Sequence, residues 1–176
     1  MQRGNYMNKI SSSYDISLKT VALLPARDIN YDTIVIEENK TEYVRQTAFN
    51  IINEACLKRN WTTYEGRRDG VIQHTNFKQK TPIPIDIHKG IYFFPTHSPS
   101  NMDNIWIAFH HILSIGKIPA RERTKDAQSI VYFKNKHALK LSISFHTLKK
   151  QYNRTLQCVM IINEAKTDQD GILSLN

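Results

Sequence analysis

The apolar runs of this chain are short, and so are the stretches between them. Asp32–Glu37 (DTIVIE), Ile105–Ile112 (IWIAFHHI), Ser129–Phe133 (SIVYF) and Ala138–Ile143 (ALKLSI) are rich in β-branched or aromatic residues, which predicts strands. A parallel neighbour needs a crossover of a dozen or more residues, and the connections here are too short for one. Two other segments repeat every 3.6 residues. Phe49, Ile52 and Cys56 form one stripe behind Thr47, which can cap a helix over about 47–59. Phe145, Leu148, Tyr152, Leu156 and Val159 form another behind Ser144 and predict a core-facing helix over about 145–162. The fold class that follows is α+β, with antiparallel β-sheets and two main helices.

The remaining segments are read more locally. Tyr14–Leu24 suits one or two strands. Trp61–Gly70 (WTTYEGRRDG) holds two glycines and reads as a loop, followed by a short strand at Val71–Thr75. The prolines of Lys78–Pro84 confine it to an edge or an extended connection. Ile85–Ile87 and Gly90–Phe94 look like a strand pair, and Pro95–Asp103 has turn chemistry throughout. Gly116–Asp126 reads as a charged connection, and Lys134-Asn135-Lys136-His137 as the turn of a hairpin. The expected organisation is a disordered start at 1–13, one domain at 14–162 with possible lobes at 14–60 and 71–162, and an atypical, frayed tail at 163–176.

No apolar run in the 176 residues reaches the ~18 needed to span a bilayer. Met1–Ser13 lacks the apolar stretch of a secretory signal, so a cytoplasmic protein is expected. Cys56 and Cys158 both fall in helical apolar patterns. They read as core residues without zinc-site spacing or a disulfide. The formal charge of +8 is unevenly placed: residues 110–154 carry ten basic and two acidic side chains, whereas 1–57 carry six and seven. A polyanion-binding face needs such an asymmetry.

No phosphate loop, dinucleotide fingerprint or nucleophile elbow is present. His110-His111 are expected on a strand with side chains on opposite faces, one in the core and one at the surface. The other histidines are scattered without a carboxylate cluster. No enzyme, cofactor or metal is therefore expected, although a metal-dependent nuclease is the reading that seven histidines invite. The basic residues are the candidates for function. Arg67 and Arg68 lie between Gly66 and Gly70, Lys78 and Lys80 precede prolines, Lys134 and Lys136 cap the hairpin, and Lys149, Lys150 and Arg154 line the closing helix. Each alone is more often a solvated residue than a contact; their density with few acids is what marks them. Cations on loops suit a minor-groove reader. A non-specific nucleic-acid binder stacking bases on Trp61, Tyr64 and Tyr92 is the alternative.

Five blocks are familiar in order and spacing. They are Tyr64-Glu65-Gly66-Arg67-Arg68, Lys80-Thr81-Pro82-Ile83, Tyr92-Phe93-Phe94-Pro95-Thr96-His97-Ser98, Ile105-Trp106-Ile107, and Ser144-Phe145-His146 with Gln151-Tyr152-Asn153-Arg154. Over roughly 14–162 the chain resembles the ComK family of bacterial competence transcription factors. The resemblance implies an activator of DNA-uptake genes that reads A/T-rich boxes of double-stranded DNA, largely through the minor groove. It also implies a homo-oligomer, with dimers assembling into tetramers on DNA, and control by an adaptor protein of a Clp-type protease. Phe94, Pro95 and Thr96 match the family motif and read as a structural turn. The tail after Ile162 (NEAKTDQDGILSLN) does not look like the family's longer, more basic continuation.

Overall fold

The computed structural model describes residues 9–173, with side chains to residue 167. Ten strands, in chain order, are β1 (Ile10–Ser11), β2 (Thr20–Pro25), β3 (Thr33–Glu37), β4 (Thr41–Val44), β5 (Ile83–Asp86), β6 (Ile91–Pro95), β7 (Trp106–Ala108), β8 (Ile112–Lys117), β9 (Ser129–Phe133) and β10 (Ala138–Leu141). Three helices accompany them: α1 (Ala48–Asn60), α2 (Tyr64–Thr75) and α3 (Phe145–Leu173). A seven-stranded sheet runs β1-β4-β3-β2-β7-β6-β5 and a three-stranded one runs β10-β9-β8. Every pairing is antiparallel except that of β1 with β4. The class is α+β, as the short connections require.

The large sheet is covered on both faces. Successive residues of a strand point to opposite sides, and along β6 and β7 both sides are apolar. Phe93, Trp106 and Ala108 pack with Ile51, Ile52 and Cys56 of α1. Phe94 and Ile107 pack with Val131 and Phe133 of the small sheet and Leu148 of α3. All five residues of β6 are buried, so its sequence is a continuous apolar run rather than an alternating one. The large sheet draws strands from both stretches expected as separate lobes. Part of the expected disordered start, Ile10–Ser11, pairs with Tyr43–Val44, while residues 1–8 lie outside the described residues.

Several local expectations are corrected. Trp61–Gly70 is not a loop and Val71–Thr75 is not a strand; most of this stretch forms α2. The Thr63 hydroxyl accepts from the Gly66 amide at 3.2 Å, and Asn76, at φ 60°, ends the helix. Only Tyr64 and Val71 of α2 are buried, so its apolar stripe is too thin to show as a period. Gly66 admits the Thr62 hydroxyl, which lies 2.2 Å from where a Cβ would stand.

Ile105–Ile112 is not one strand either. β7 ends at Ala108, and a 3₁₀ turn at Phe109–His111 carries the chain into the small sheet. His110 and His111 are therefore not on opposite faces. Their rings lie 4.3 Å apart, and both Nε2 atoms meet the Leu18 carbonyl, at 3.1 and 2.7 Å.

In α3 the buried residues are Leu148, Gln151, Thr155 and Cys158, whereas Leu156 is 41 % exposed. Leu156 is thus not part of the core stripe. The inward line includes Gln151, which bonds the backbone facing it, and Thr155, whose hydroxyl donates to the Gln151 carbonyl of the same helix at 2.8 Å. The helix also runs past residue 162, to Leu173. Both cysteines are free and buried.

Candidate nucleic-acid interface

Three elements bring their cations to one surface. A cleft of about 660 Å³ is lined by Arg68 of α2, by Lys78 and Lys80 of the loop between α2 and β5, and by Ser98 and Ser100 beyond β6. Next to it, Phe77 and the α3 residues His146, Lys149, Lys150 and Arg154 line a depression of about 450 Å³. The Arg154 guanidinium joins the two, donating to the Gln79 carbonyl at 2.8 Å and resting 5.1 Å from the centre of the Phe77 ring. His146 also lines a third depression, of about 220 Å³, with Lys117, Arg123 and Ser144. Glu65 is the acidic side chain in the walls of the cleft, and the two depressions have none. Charges of one sign in adjacent concavities reinforce one another's potential.

The nine expected residues do not all share this surface. Arg68, Lys78, Lys80, Lys149, Lys150 and Arg154 do. Arg67, expected on an exposed loop, turns inward from α2. Its Nε donates to the Pro84 carbonyl at 2.9 Å and its Nη2 to Asn60 Oδ1 at 2.7 Å. Burial depresses its pKa. Lys134 lines a separate cleft of about 440 Å³ with Glu38, His110 and His111. Lys136 is on the same turn, whose Asn135 donates to the Glu38 carbonyl at 3.1 Å. Lys117, Arg123 and His146 were not among the expected residues. His146 stands three and four residues before Lys149 and Lys150, a helical spacing that the sequence displays. Arg123 Nε is tied to the Ile118 carbonyl at 2.8 Å, a contact within a segment read only as a charged connection.

The turn at Pro95–Ser98 is held by its own polar atoms, as expected for a structural turn. The Ile105 amide donates to Thr96 Oγ1 at 2.9 Å, and the His97 amide to Asn104 Oδ1 at 2.9 Å. His97 is pushed below its ordinary pKa by burial and then by the Lys80 charge, against Asp103. At the other cleft, burial lowers His110 to about 4. Tyr64 and Tyr92 are 5 % and 2 % exposed, so neither is a stacking platform; Trp61, at 95 %, is open. Among the described residues no group of three or more His, Cys, Asp or Glu could hold a metal ion, and no helix is long and apolar enough to cross a membrane.

The five sequence blocks meet in space. Tyr64 packs its ring 5.9 Å from that of Trp106. Gln151 donates to the carbonyls of Lys80 at 2.7 Å and Pro95 at 3.0 Å. The profile of the ComK protein family matches residues 11–167. This chain belongs to the ComK family. It is 28 % identical over 144 residues to the competence transcription factor of Bacillus subtilis (strain 168), an overlap covering 81 % of this chain and 71 % of that protein. No solved structure matches the chain. Within this ComK-family fold, three of the five blocks contribute walls of the basic cleft, through Tyr64, Glu65 and Arg68, through Lys80 and Thr81, and through Ser98.

Proposed function

We propose that this protein is a competence transcription factor that binds A·T-rich double-stranded DNA through the minor groove with the cations of α2, the Phe77–Thr81 loop and α3. The observation that carries the proposal is the joining of Arg68, Lys78, Lys80, Lys149, Lys150 and Arg154 into one surface whose depressions continue to Lys117 and Arg123. Phosphate neutralisation by such a strip supplies affinity without sequence preference. Preference for A·T pairs comes from a narrow groove whose negative potential draws in cations. Lys78 and Lys80 sit on a loop held against α3 at the Gln79 and Lys80 carbonyls, and loop cations are the kind that enter such a groove. α3 also presents Asn153 and Gln157 beside Lys149 and Lys150, residue types that can read adenine in the major groove, so the two grooves must be separated by experiment. The family relationship supports a regulator that catalyses no reaction, that acts as dimers and tetramers on DNA, and whose level is set by an adaptor of a Clp-type protease.

The test is a mobility-shift series with magnesium present. An A·T-rich duplex should shift at lower protein concentration than scrambled duplex or single strand. Replacing A·T by I·C pairs, which preserves the minor-groove surface, should leave the shift in place, and distamycin should block it. Loss of binding with I·C pairs together with indifference to distamycin would place the contacts in the major groove. An equal shift of all three nucleic acids would make the protein a non-specific binder, and cleavage would make it a nuclease.

A further inference from the structure

Gln151 is a long polar side chain where α3 needs an apolar one. It is 1 % exposed and belongs to the inward line with Leu148, Thr155 and Cys158. Burying an amide is unfavourable unless its polar atoms find partners. Its amide nitrogen has two hydrogens, and each has a carbonyl, Lys80 O at 2.7 Å and Pro95 O at 3.0 Å. One side chain thus joins α3 to the end of β6 and to the basic loop.

The loop is held at three carbonyls. Thr81 Oγ1 donates to Phe77 O at 2.6 Å, Arg154 Nη1 to Gln79 O at 2.8 Å, and Gln151 Nε2 to Lys80 O at 2.7 Å. Lys80 itself has φ 48°, the left-handed region that glycine and asparagine occupy easily and lysine does not. A residue remains in such a conformation when its surroundings over-determine it. With Gln79 O and Lys80 O fixed from α3, the Lys80 side chain must leave the backbone on the side of the cleft it lines.

The geometry points to Gln151 as a positioning residue for DNA: by fixing the Lys80 carbonyl it sets where the Lys80 ammonium stands in the cleft, an inference that rests on the DNA-binding proposal above. Gln151 touches no DNA. Its contribution is that the ammonium is held where it meets a phosphate; with the Lys80 carbonyl released, the loop moves off and that contact is not made.

Three variants of the full chain test it against an A·T-rich duplex over a salt series, with thermal melting as the control for folding. Lys80→Asn removes the charge and keeps a residue that tolerates positive φ. It should flatten the log–log salt slope by about 0.9, the value of one phosphate contact. Gln151→Met removes both bonds and no charge, yet should flatten the slope comparably. In the Lys80→Asn background, Gln151→Met should change the slope no further, whereas a general weakening of the fold would lower binding in both backgrounds. Should Gln151→Met fail to melt cooperatively, Thr81→Val loosens the same loop without touching the charge and is expected to act alike. A wild-type slope in Lys80→Asn overturns the DNA assignment of the cleft, and the positioning role with it. A flattened slope in Lys80→Asn beside wild-type slopes in whichever of Gln151→Met and Thr81→Val fold, or additive losses in the double variant, overturns the positioning role alone.

Discussion

The chain contains two Lys-x-Lys turns, Lys78-Gln79-Lys80 and Lys134-Asn135-Lys136, that are nearly identical as sequence and differ in what holds them. In each, the second lysine has positive φ, 48° at Lys80 and 70° at Lys136. In each, the turn's charge bears on a histidine: Lys80 disfavours protonation of His97, and Lys134 that of His110, in both cases after burial as the larger cause. The hairpin explains its own geometry. The Phe133 amide donates to His137 O at 2.8 Å and the Lys136 amide to Phe133 O at 3.0 Å, leaving a three-residue loop whose last member is left-handed, a common hairpin turn. At Lys80 the one local bond, Thr81 Oγ1 to Phe77 O at 2.6 Å, leaves the Gln79 and Lys80 carbonyls without a local partner. Those two are fixed from α3, more than seventy residues away in sequence. The neighbourhoods differ as well. Lys80 shares its cleft with Lys78 and Arg68 against the one acid Glu65, beside the acid-free depression holding the cations of α3. Lys134 shares its own with Glu38, which cancels part of the field a phosphate would feel. A pair of lysines on a turn becomes a candidate contact through the charges that tertiary structure gathers round it, and the motif alone does not separate the two cases.

The sharpest way to break this comparison is to neutralise each turn in turn. Lys78→Gln with Lys80→Asn should flatten the salt slope of A·T-rich DNA binding by up to about 1.8, twice the ~0.9 of a single phosphate. Lys134→Gln with Lys136→Asn should flatten it by less than about 0.9 on the same scale. Equal losses would show that DNA reaches the hairpin and that the strip on α3 is only part of the interface. A second contrast lies within the Arg67-Arg68 pair. Arg67→Ala leaves the Pro84 carbonyl without its donor and should lower stability by about 1–3 kcal/mol, read as the denaturation midpoint. Arg68→Ala, at the cleft wall and paired to Asp69 at 3.4 Å, should leave the midpoint within error and flatten the salt slope. The reverse pattern would mean that α2 presents its other face to DNA.

That contrast also marks where the sequence was legible. The helix at 47–59, the strands at 32–37 and 129–133 and the hairpin turn each carry their own pattern, because each buries a regular set of side chains: Ile51, Ile52, Ala55 and Cys56 in α1, and Ser129, Val131 and Phe133 in β9. α2 carries none. It buries two residues and includes two glycines, and its stability comes from its Thr63 cap and its packing on α1 and β5. Local pattern therefore places Arg67 and Arg68 on a loop with one role, whereas the helix sends Arg67 inward and Arg68 to the cleft. The error at Leu156 has the same root. A period of apolar residues locates a core stripe only if the facing surface is apolar; here Gln151 turns inward to the Lys80 and Pro95 carbonyls, and Thr155 beside it satisfies its hydroxyl on the Gln151 carbonyl of its own helix, while Leu156 faces out. The basic character of the site was readable from residue counts. Its position was not, since Lys80 and Gln151 belong to segments joined only in the folded chain.

The smallest expected effect separates the two turns without altering either. Both histidines are held below the ordinary value near 6.5, so both are neutral at neutral pH. For His110, lowered to about 4, the neutral form contributes stability that is complete above about pH 6.5 and is lost as pH falls toward 4, because the unfolded chain takes up the proton first. Acid titrations must therefore stop short of unfolding. Within that range, a DNA phosphate brought to Lys80 offsets the charge that disfavours the His97 imidazolium, and its own negative charge favours protonation. The His97 pKa should rise on binding, and affinity should increase as pH falls through the interval between its bound and free values, with no pH effect from this group above the bound one. His110, beside the hairpin and Glu38, should keep its value. Ring-proton NMR titration of the seven histidines, with and without an A·T-rich duplex, measures both in one experiment. An upward shift at His110 with none at His97 would put the DNA at the hairpin and reverse the ranking of the two turns.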